Sequence, residues 1–557
     1  MIRRPPRSTQ GVSSAASDVY KRQVGVRYKG NSTFCLPNDE GNPKVPYNIE
    51  MNHFIQAQKL ENLKKIKLAN AWLDPTFAKE ITAANIYRKY LPSPEANLLR
   101  LNVQGNYLGV YVNTESVDKQ FLQKQFNEKD GVLVKCDPIQ VFCGGNTANG
   151  NPDLKWLGAD SANYYNSYDV KSDHGWGELM ELIEKINFDF DNLGDVLNID
   201  RVLWAFAVNS AILNLDTYNG YYVHNYYLYR TEDGLFQMIP WDFDNSFAGA
   251  ILGWEFFDPM LVYNYDTYGN QYAPNERPLL EKLLDDPYYK KLYNAHLRTV
   301  YTESLMDADA VRTSIEQLQA TAYTAVVQDP NKLFSMGQFS SNVEENLWTG
   351  WGFGGIMSMV NGRNAYLSGL QTMFMPTPEI SNMNLNGGVL TVDVDLAADV
   401  DIMATTSEYN SKFEAFDMYD DGTNGDLVAN DNTYTAYLPY VVSGDAVKFY
   451  IRAQNSSNMR LLPERAEYEF FIYDPNAGIE ENIYDEGLSV YPNPASSILN
   501  ISGTEAQKLH CELYSMMGVK VLEKDFWGAS ASIQISELQA GAYILKVNNQ
   551  TFKVLKK

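Results

Sequence analysis

The sequence predicts a multidomain chain, in which an α+β unit of two lobes, one sheet-rich and one largely helical, is followed by two all-β sandwich modules. Three observations predict it. The 557 residues exceed what one hydrophobic core organises. Short apolar runs with turn residues between them dominate as far as residue 137, whereas helical periodicity dominates much of the stretch from 176 to 371. Beyond Pro376 and Pro378, alternating runs such as VLTVDVDL and AVKFYIRA recur between Asp, Gly and Asn turns.

Residues 1–23 are basic and polar, with neither an apolar h-region nor a structural period. They resemble a translated adapter artefact, so the authentic N-terminus, with any signal peptide, is expected to lie outside this sequence. The two-lobed α+β unit is assigned to 24–372. VGVRYKGNS reads as a strand entering a Gly-Asn turn, YNIEM as a second strand, and Lys65 to Ala69 as a third. Asp74 and Pro75 offer an N-cap and a first-turn proline for a helix carrying Phe77, Ile81, Ala84 and Tyr87 at helical spacing. LLRLNVQGNYLGVYVNTE reads as a hairpin about a Gly-Asn turn, a helix around Phe121 follows, and GVLVKCD supplies a further strand of the same sheet. Residues 138–175 read as a long loop region. Trp176 to Phe188 and Asp200 to Leu213 read as amphipathic helices, YYLY and LFQMIPW as strands, and 278–371 as mainly helical. A sandwich is expected over 378–474 and a final β module over 486–557.

Acidic residues outnumber Lys and Arg by 69 to 45, a formal charge of -24, which argues against a nucleic-acid partner. No apolar run is long enough for a transmembrane segment. Of the four cysteines, Cys136 and Cys143 are spaced to bridge across a turn or to remain free buried thiols.

The densest polar constellation is NLDTYNGYYVHNYYLYRTEDGLFQMIPWDFDNSF, Asn214 to Phe247. Asp216 follows a helix expected to be buried, and Asp242 and Asp244 follow a strand ending at Pro240 and Trp241. Carboxylates at the ends of buried elements are costly unless they pair or bind metal. Asn225 adds an oxygen donor of the kind Mg2+ accepts. Such a set suits phosphoryl transfer, one Asp orienting and deprotonating a hydroxyl while another, with an Asn, holds a cation on nucleotide phosphates. The alternative is a group of loop carboxylates that cap turns. His224 either orients the Asp216 loop or is a hydrogen-bonded core histidine, and the aromatic run Tyr218 to Tyr229 reads as lobe core.

LDTYNGYYVHNYYLY followed by IPWDFDNSF resembles the signature of the CotH kinase family, as do GVRYKGNS with KVPYNIE and LGVYVNTESVDKQFL. The resemblance runs from about residue 24 to 371. It implies a kinase-like, two-lobed, ATP- and Mg2+-dependent enzyme that phosphorylates protein substrates on Ser or Thr. Asp216 would be the catalytic base, Asp242 the metal-binding Asp, and Asn225 and Asp244 further metal or structural partners. For the cation on the nucleotide phosphates Lys44 is the best motif match, with Lys67 and Lys29 as competitors. For its orienting carboxylate Glu115 is favoured over Glu80. The family's Arg-Gly-Asn-Ser is here Lys29-Gly30-Asn31-Ser32, Val45 replaces a lysine, and Glu50 stands where a lysine is common. A non-catalytic, pseudokinase-like surface protein is the alternative reading.

In the sandwich, Asp417 to Ala436 carries Asp420, Asp421, Asn424, Asp426, Asn430 and Asp431, a candidate Ca2+ loop or a set of turn formers. The module resembles Ig-like appendages. The last module, with VYPNPASSILNI, MGVKV and LQAGAYILKV, is similar to type A sorting domains of the type IX secretion system. That resemblance implies the type IX secretion machinery as a partner, and release from or attachment to the outer surface.

Overall fold

The computed structural model describes residues 23–138, 150–220, 222–250, 262–263, 276–349, 351–441, 445–474, 489–491, 495–515, 520–536, 538–539, 541–548 and 550–557. The segment 1–22 and Cys143 therefore lie outside the described residues. The chain forms two compact units, one ending at Asp474 and one running from Pro475 to Lys557.

The first unit opens with β1 (Gly25–Tyr28), α1 (Ser32–Asp39), β2 (Tyr47–Glu50), β3 (Lys65–Ala69), α2 (Lys79–Tyr87), β4 (Ala96–Val103) and β5 (Asn106–Thr114). The strands form one antiparallel sheet in the order β1-β2-β3-β5-β4. Side-chain alternation along β3 buries Ile66 and Leu68 against Met51 and Tyr111, which sends Lys67 to the opposite face. Two local expectations are corrected. The β4–β5 turn is Gln104–Gly105, both at positive φ with Val103 opposite Asn106, because a two-residue hairpin turn needs left-handed residues at its centre. Helix α2 starts at Lys79, four residues later than the Asp74 cap implied. Asp74 instead ties down the preceding loop by accepting from Thr76 N at 2.9 Å and Lys79 N at 2.8 Å.

Helix α3 (Lys119–Phe126), capped by Asp118, leads to β6 (Val132–Cys136), which does not join the first sheet. It pairs instead with β7 (Tyr168–Val170) and β8 (Tyr226–Arg230), and β9 (Phe236–Pro240) completes a second antiparallel sheet, β7-β6-β8-β9. Both faces of that sheet are buried. Val132, Val134, Tyr226, Leu228 and Met238 enter the main core, while Leu133, Tyr227, Tyr229, Ile239 and Trp241 pack with Phe121 of α3 on the other side. Tyr218, Tyr226, Tyr227 and Tyr229 of the aromatic run are thus core, as its composition implied, whereas Tyr222 is exposed and Tyr221 lies outside the described residues.

Helices α4 (Trp176–Phe188), α5 (Ile199–Ala211), α6 (Pro278–Asp285), α7 (Pro287–Ser304), α8 (Ala308–Gln328), α9 (Met336–Glu344), α10 (Ile356–Ser368) and α11 (Gln371–Phe374) supply the helical part, with the small β10 (Leu347–Thr349)–β11 (Trp351–Phe353) hairpin between α9 and α10. All of α5 is buried, so the turn that follows it emerges from the centre of the core.

Strands β12 (Glu379–Asn386), β13 (Val389–Asp395), β14 (Asp399–Thr405), β15 (Glu414–Asp417), β16 (Thr433–Tyr437), β17 (Val447–Gln454), β18 (Met459–Leu462) and β19 (Phe471–Tyr473) form two sheets, β12-β13-β16 and β15-β14-β17-β18 with β19 beside β17. Leu390 and Val392 of one sheet share a core with Ile402, Phe449 and Ile451 of the other. This sandwich is packed into the α/β region, not tethered by a free linker. Met403, Tyr450, Met459, Leu461 and Ala466 belong to the main core, Trp204 Nε1 donates to Ala466 O at 3.2 Å, and Arg298 Nη2 donates to Met459 O at 2.6 Å.

The second unit contains β20 (Ser489–Tyr491), β21 (Ile498–Ser515), β22 (Lys520–Gln534), β23 (Gly541–Val547) and β24 (Gln550–Lys556), in the order β20-β21-β23-β24 with β22 along β21. Tyr543, Leu545 and Val547 face its core. Cys35 is disulfide-bonded, whereas Cys136 and Cys511 are free buried thiols, so Cys136 does not bridge to Cys143.

Candidate functional site

The turn after α5 carries Asp216, 8% exposed. Three donors converge on its carboxylate: Asn245 Nδ2 at 2.9 Å and Asn225 Nδ2 at 3.2 Å from Oδ2, and His224 Nε2 at 3.1 Å from Oδ1. Asn225 Nδ2 also donates to Asp216 O at 3.1 Å. Burial works against a charged imidazole, but the Asp216 carboxylate outweighs it and raises the His224 pKa to about 9. At neutral pH His224 is therefore an imidazolium held on Asp216. The Asn225 side-chain amide thus orients Asp216, while the backbone carbonyl of Asn225 accepts from Trp241 N at 3.1 Å and draws the strand end before Asp242 toward the same turn.

Asp242 leaves β9 at φ 60°, a left-handed conformation that Asp tolerates better than most residues. Two residues on, the Asp244 carboxyl is pushed well above the usual carboxylate range by burial and then by the like charges of Asp242, Glu80 and Asp216. Glu80 lies in the first turn of α2 and accepts from Thr114 Oγ1 at 2.5 Å. Its pKa rises to about 7, through burial first and Asp242 second, with Lys29 and the Thr114 bond pulling the other way.

Two cations face these acids. Burial, then the positive charges of Lys29 and Lys135, hold the Lys67 ammonium well below its usual range, with Asp242 and Asp118 opposing. The Lys67 Nζ stands 3.8 Å from the centroid of the Trp241 ring. Lys29, at the end of β1, acts electrostatically on Glu80, Asp244 and Lys67. Lys79, buried beside Glu80, is lowered to about 8 by burial, against Asp74 and Asp244.

The structure thus brings Asp216, Asn225, Asp242, Asp244 and Lys67 together and adds Glu80, Lys29, His224 and Asn245. It does not bring in Lys44 or Glu115. Lys44 is fully buried in an ion pair, its Nζ 2.6 Å from Asp329 Oδ2, and that same oxygen accepts from Val110 N at 3.0 Å. Burial lowers the Lys44 pKa, with Asp329 opposing. Gly109, at φ 149°, makes room for this pair, since a Cβ there would lie 2.5 Å from Asp329 Oδ2. The K-x-P-Y and G-x-Y segments therefore build a structural tie between the sheet and the end of α8. Glu115 pairs with Lys124 at 3.2 Å and accepts from Glu95 N at 3.2 Å, at the edge of the sheet. Val45, in the position of the second lysine, is buried and apolar.

A model of the family described as CotH kinase protein matches residues 26–347, more than half of the chain. This chain belongs to that family. The CotH match spans both sheets and every residue of the acidic cluster. The chain is also similar to the protein named inner spore coat protein H of Bacillus subtilis (strain 168), at 24% identity over 305 residues, covering 53% of this chain and 77% of that protein. A second family model, the secretion system C-terminal sorting domain, matches residues 489–557. The CotH-family chain thus ends in a type IX sorting domain, which assigns it to secretion or surface display. Among the described residues, no helix is long and apolar enough to cross a membrane.

In the sandwich, Asp420, Asp426 and Asp431 bring carboxylate oxygens within 4.8 Å of one another, in the stretch singled out for calcium. Most of those oxygens already accept from backbone: Asp420 from Asp431 N and Asn432 N, and Asp426 from Gly422 N and Val428 N.

Proposed function

We propose that the chain is an exported CotH-family protein kinase that transfers the γ-phosphate of ATP to a Ser or Thr hydroxyl of a protein. The observation that carries this reading is the convergence of Lys67 and Glu80, from the first sheet and α2, on Asp242 and Asp244 after β9, with Asp216 of the turn after α5 acting on Asp244. The carboxyls of Glu80, Asp242 and Asp244 repel one another even with Lys29, Lys67 and Lys79 acting on them, and such a donor set fits a magnesium ion. Asp242 and Asp244 would hold Mg2+, which neutralises charge on the nucleotide phosphates when bound. Asn225 is committed through its amide to Asp216, and its remaining contribution is to shape that loop.

In this reading Asp216 accepts the proton of the substrate hydroxyl as its oxygen bonds to the γ-phosphorus and the bond to the β-phosphate oxygen breaks, releasing ADP. His224 and Asn245 keep its carboxylate in one orientation. Lys67 would meet the phosphates, with Glu80 as its orienting carboxylate, in place of Lys44 and Glu115.

The test is Mg-ATP-dependent labelling of a protein acceptor by the purified full chain, with Asp216→Asn and Asp242→Ala beside it. Loss of labelling in both variants supports the assignment. Equal labelling in all three would move the site elsewhere, and no labelling or nucleotide binding by folded wild type would favour the non-catalytic surface protein.

A further inference from the structure

Tyr87 closes α2, the helix that carries Glu80 in its first turn. Its ring is fully buried and stacks on Phe243 with centroids 4.5 Å apart and 23° between the planes, so it abuts the residue between Asp242 and Asp244. Its hydroxyl accepts from Asn214 Nδ2 at 2.9 Å and donates to Asn209 Oδ1. Asn214 Oδ1 in turn accepts from Asp216 N at 3.4 Å. Asn209 Nδ2 continues to Asn219 Oδ1 at 2.6 Å, and Asn219 Nδ2 reaches Phe206 O in α5 at 3.2 Å. Asn209, Asn214 and Asn219 are at most 2% exposed, so bulk water does not stand in for any of these bonds.

Apolar packing alone would accept phenylalanine at this position. The hydroxyl costs desolvation, and what it gains is two bonds to the Asp216 turn and its α5 anchor. Separately, the loop after Asp242 is tied to the same turn, Phe247 N donating to Ile212 O at 2.8 Å and Ala248 N to Leu213 O at 3.0 Å. One side chain thus touches both acidic segments from the helix that bears Glu80: its ring fixes Phe243 and its oxygen fixes Asn214.

We infer that Tyr87 is a positioning residue that locks α2, the Asp216 turn and the Asp242–Asp244 loop into one geometry. The inference rests on the kinase reading for its catalytic consequence only. Substitution Tyr87→Phe keeps the stack and deletes the hydroxyl, and Asn214→Ser deletes the partner while leaving the tyrosine. Each is expected to lower kcat roughly tenfold to hundredfold with the KM for Mg-ATP unchanged, since misorientation of a base acts on the transition state. The double variant is expected to be less impaired than the sum of the single effects, because both substitutions break the Tyr87–Asn214 bond.

Hydrogen–deuterium exchange on the full chain gives a readout free of activity. Peptides covering 209–219 and 241–249 should exchange at least about tenfold faster in Tyr87→Phe, while those of β12 and β13 keep wild-type rates. Unchanged exchange at 209–219, or a Tyr87→Phe enzyme with wild-type kcat, overturns the inference. If wild type transfers no phosphate, the kinase reading falls, and the exchange result alone decides Tyr87 in the same two directions.

Discussion

The ammonium of Lys67 lies 3.8 Å from the centre of the Trp241 ring, immediately before Asp242 in the chain. A cation on the first sheet is thereby seated against the strand end that delivers an acid of the second. Its ammonium is held well below its ordinary range, chiefly by burial, so the lysine is a burden on the free protein. Lys67→Met is expected to melt no lower than wild type in a thermal scan, yet to lose about 100-fold or more in Mg-ATP-dependent transfer. A variant that melts well below wild type would make Lys67 a structural residue.

Burial raises the Asp244 pKa, and repulsion from Asp242, Glu80 and Asp216 raises it further. Asp244→Asn should therefore stabilise the metal-free protein, by at least about 1 kcal/mol, in unfolding experiments with EDTA. With millimolar Mg2+ the order should invert, because the ion that relieves the repulsion has lost a ligand. Identical stability ranks with and without Mg2+ would remove the cluster as a metal site.

The junction between the α/β region and the sandwich carries its own titration. Glu467 is raised to about 8, by burial and then by Asp200, with Arg201 and Asn198 opposing. Asp200 also holds His296 at 2.7 Å. An acid with a raised folded pKa adds stability fully present below its ordinary value near 4.5 and lost as pH rises through about 8. Urea melts of the full chain should show stability falling across that window, and Glu467→Gln should flatten the fall. A variant with an unaltered pH profile would assign the slope to other groups.

Truncation separates the two β modules. Removing 475–557 takes away a unit with its own core and should leave the melting temperature of the remainder within about 2 °C. Ending the chain at residue 376 removes Met403, Tyr450 and Met459 from the main core and takes from Trp204 its bond to Ala466 O and from Arg298 its bond to Met459 O. That shorter chain is expected to be insoluble or to melt more than about 10 °C lower. Equal melting of both truncations would show that the sandwich does not brace the α/β region.

What the sequence reveals about this architecture follows the range of each interaction. Lys65 to Ala69 and Trp176 to Phe188 form the elements their periodicity implies, because one buried face decides each of them. Strand β6 is expected in the first sheet by adjacency, yet its partners β7 and β8 lie further along the chain and its two faces feed two cores. Asp216, Asp242 and Asp244 are legible as acids at the ends of buried elements. Lys44 and Glu115 match motif segments, but what fixes Lys44 is Asp329, 285 residues away, which no local pattern encodes. Glu80 carries a weak signal, a glutamate in the first turn of a helix, and only the packing of α2 against α5 and Phe243 turns it toward Asp242. Asn245 and Tyr87 give no signal at all, since an amide and a buried tyrosine acquire their roles from partners 29 and 127 residues distant.

The central claim is that the acids after β9 and α5 hold a magnesium–nucleotide complex against Lys67. Isothermal titration of Mg-ATP into the full chain, with folded Asp242→Ala beside it, tests that claim most directly. The account predicts saturable heat for wild type that the substitution abolishes or weakens at least about tenfold. Binding of equal affinity in both proteins, or none in either, would contradict it.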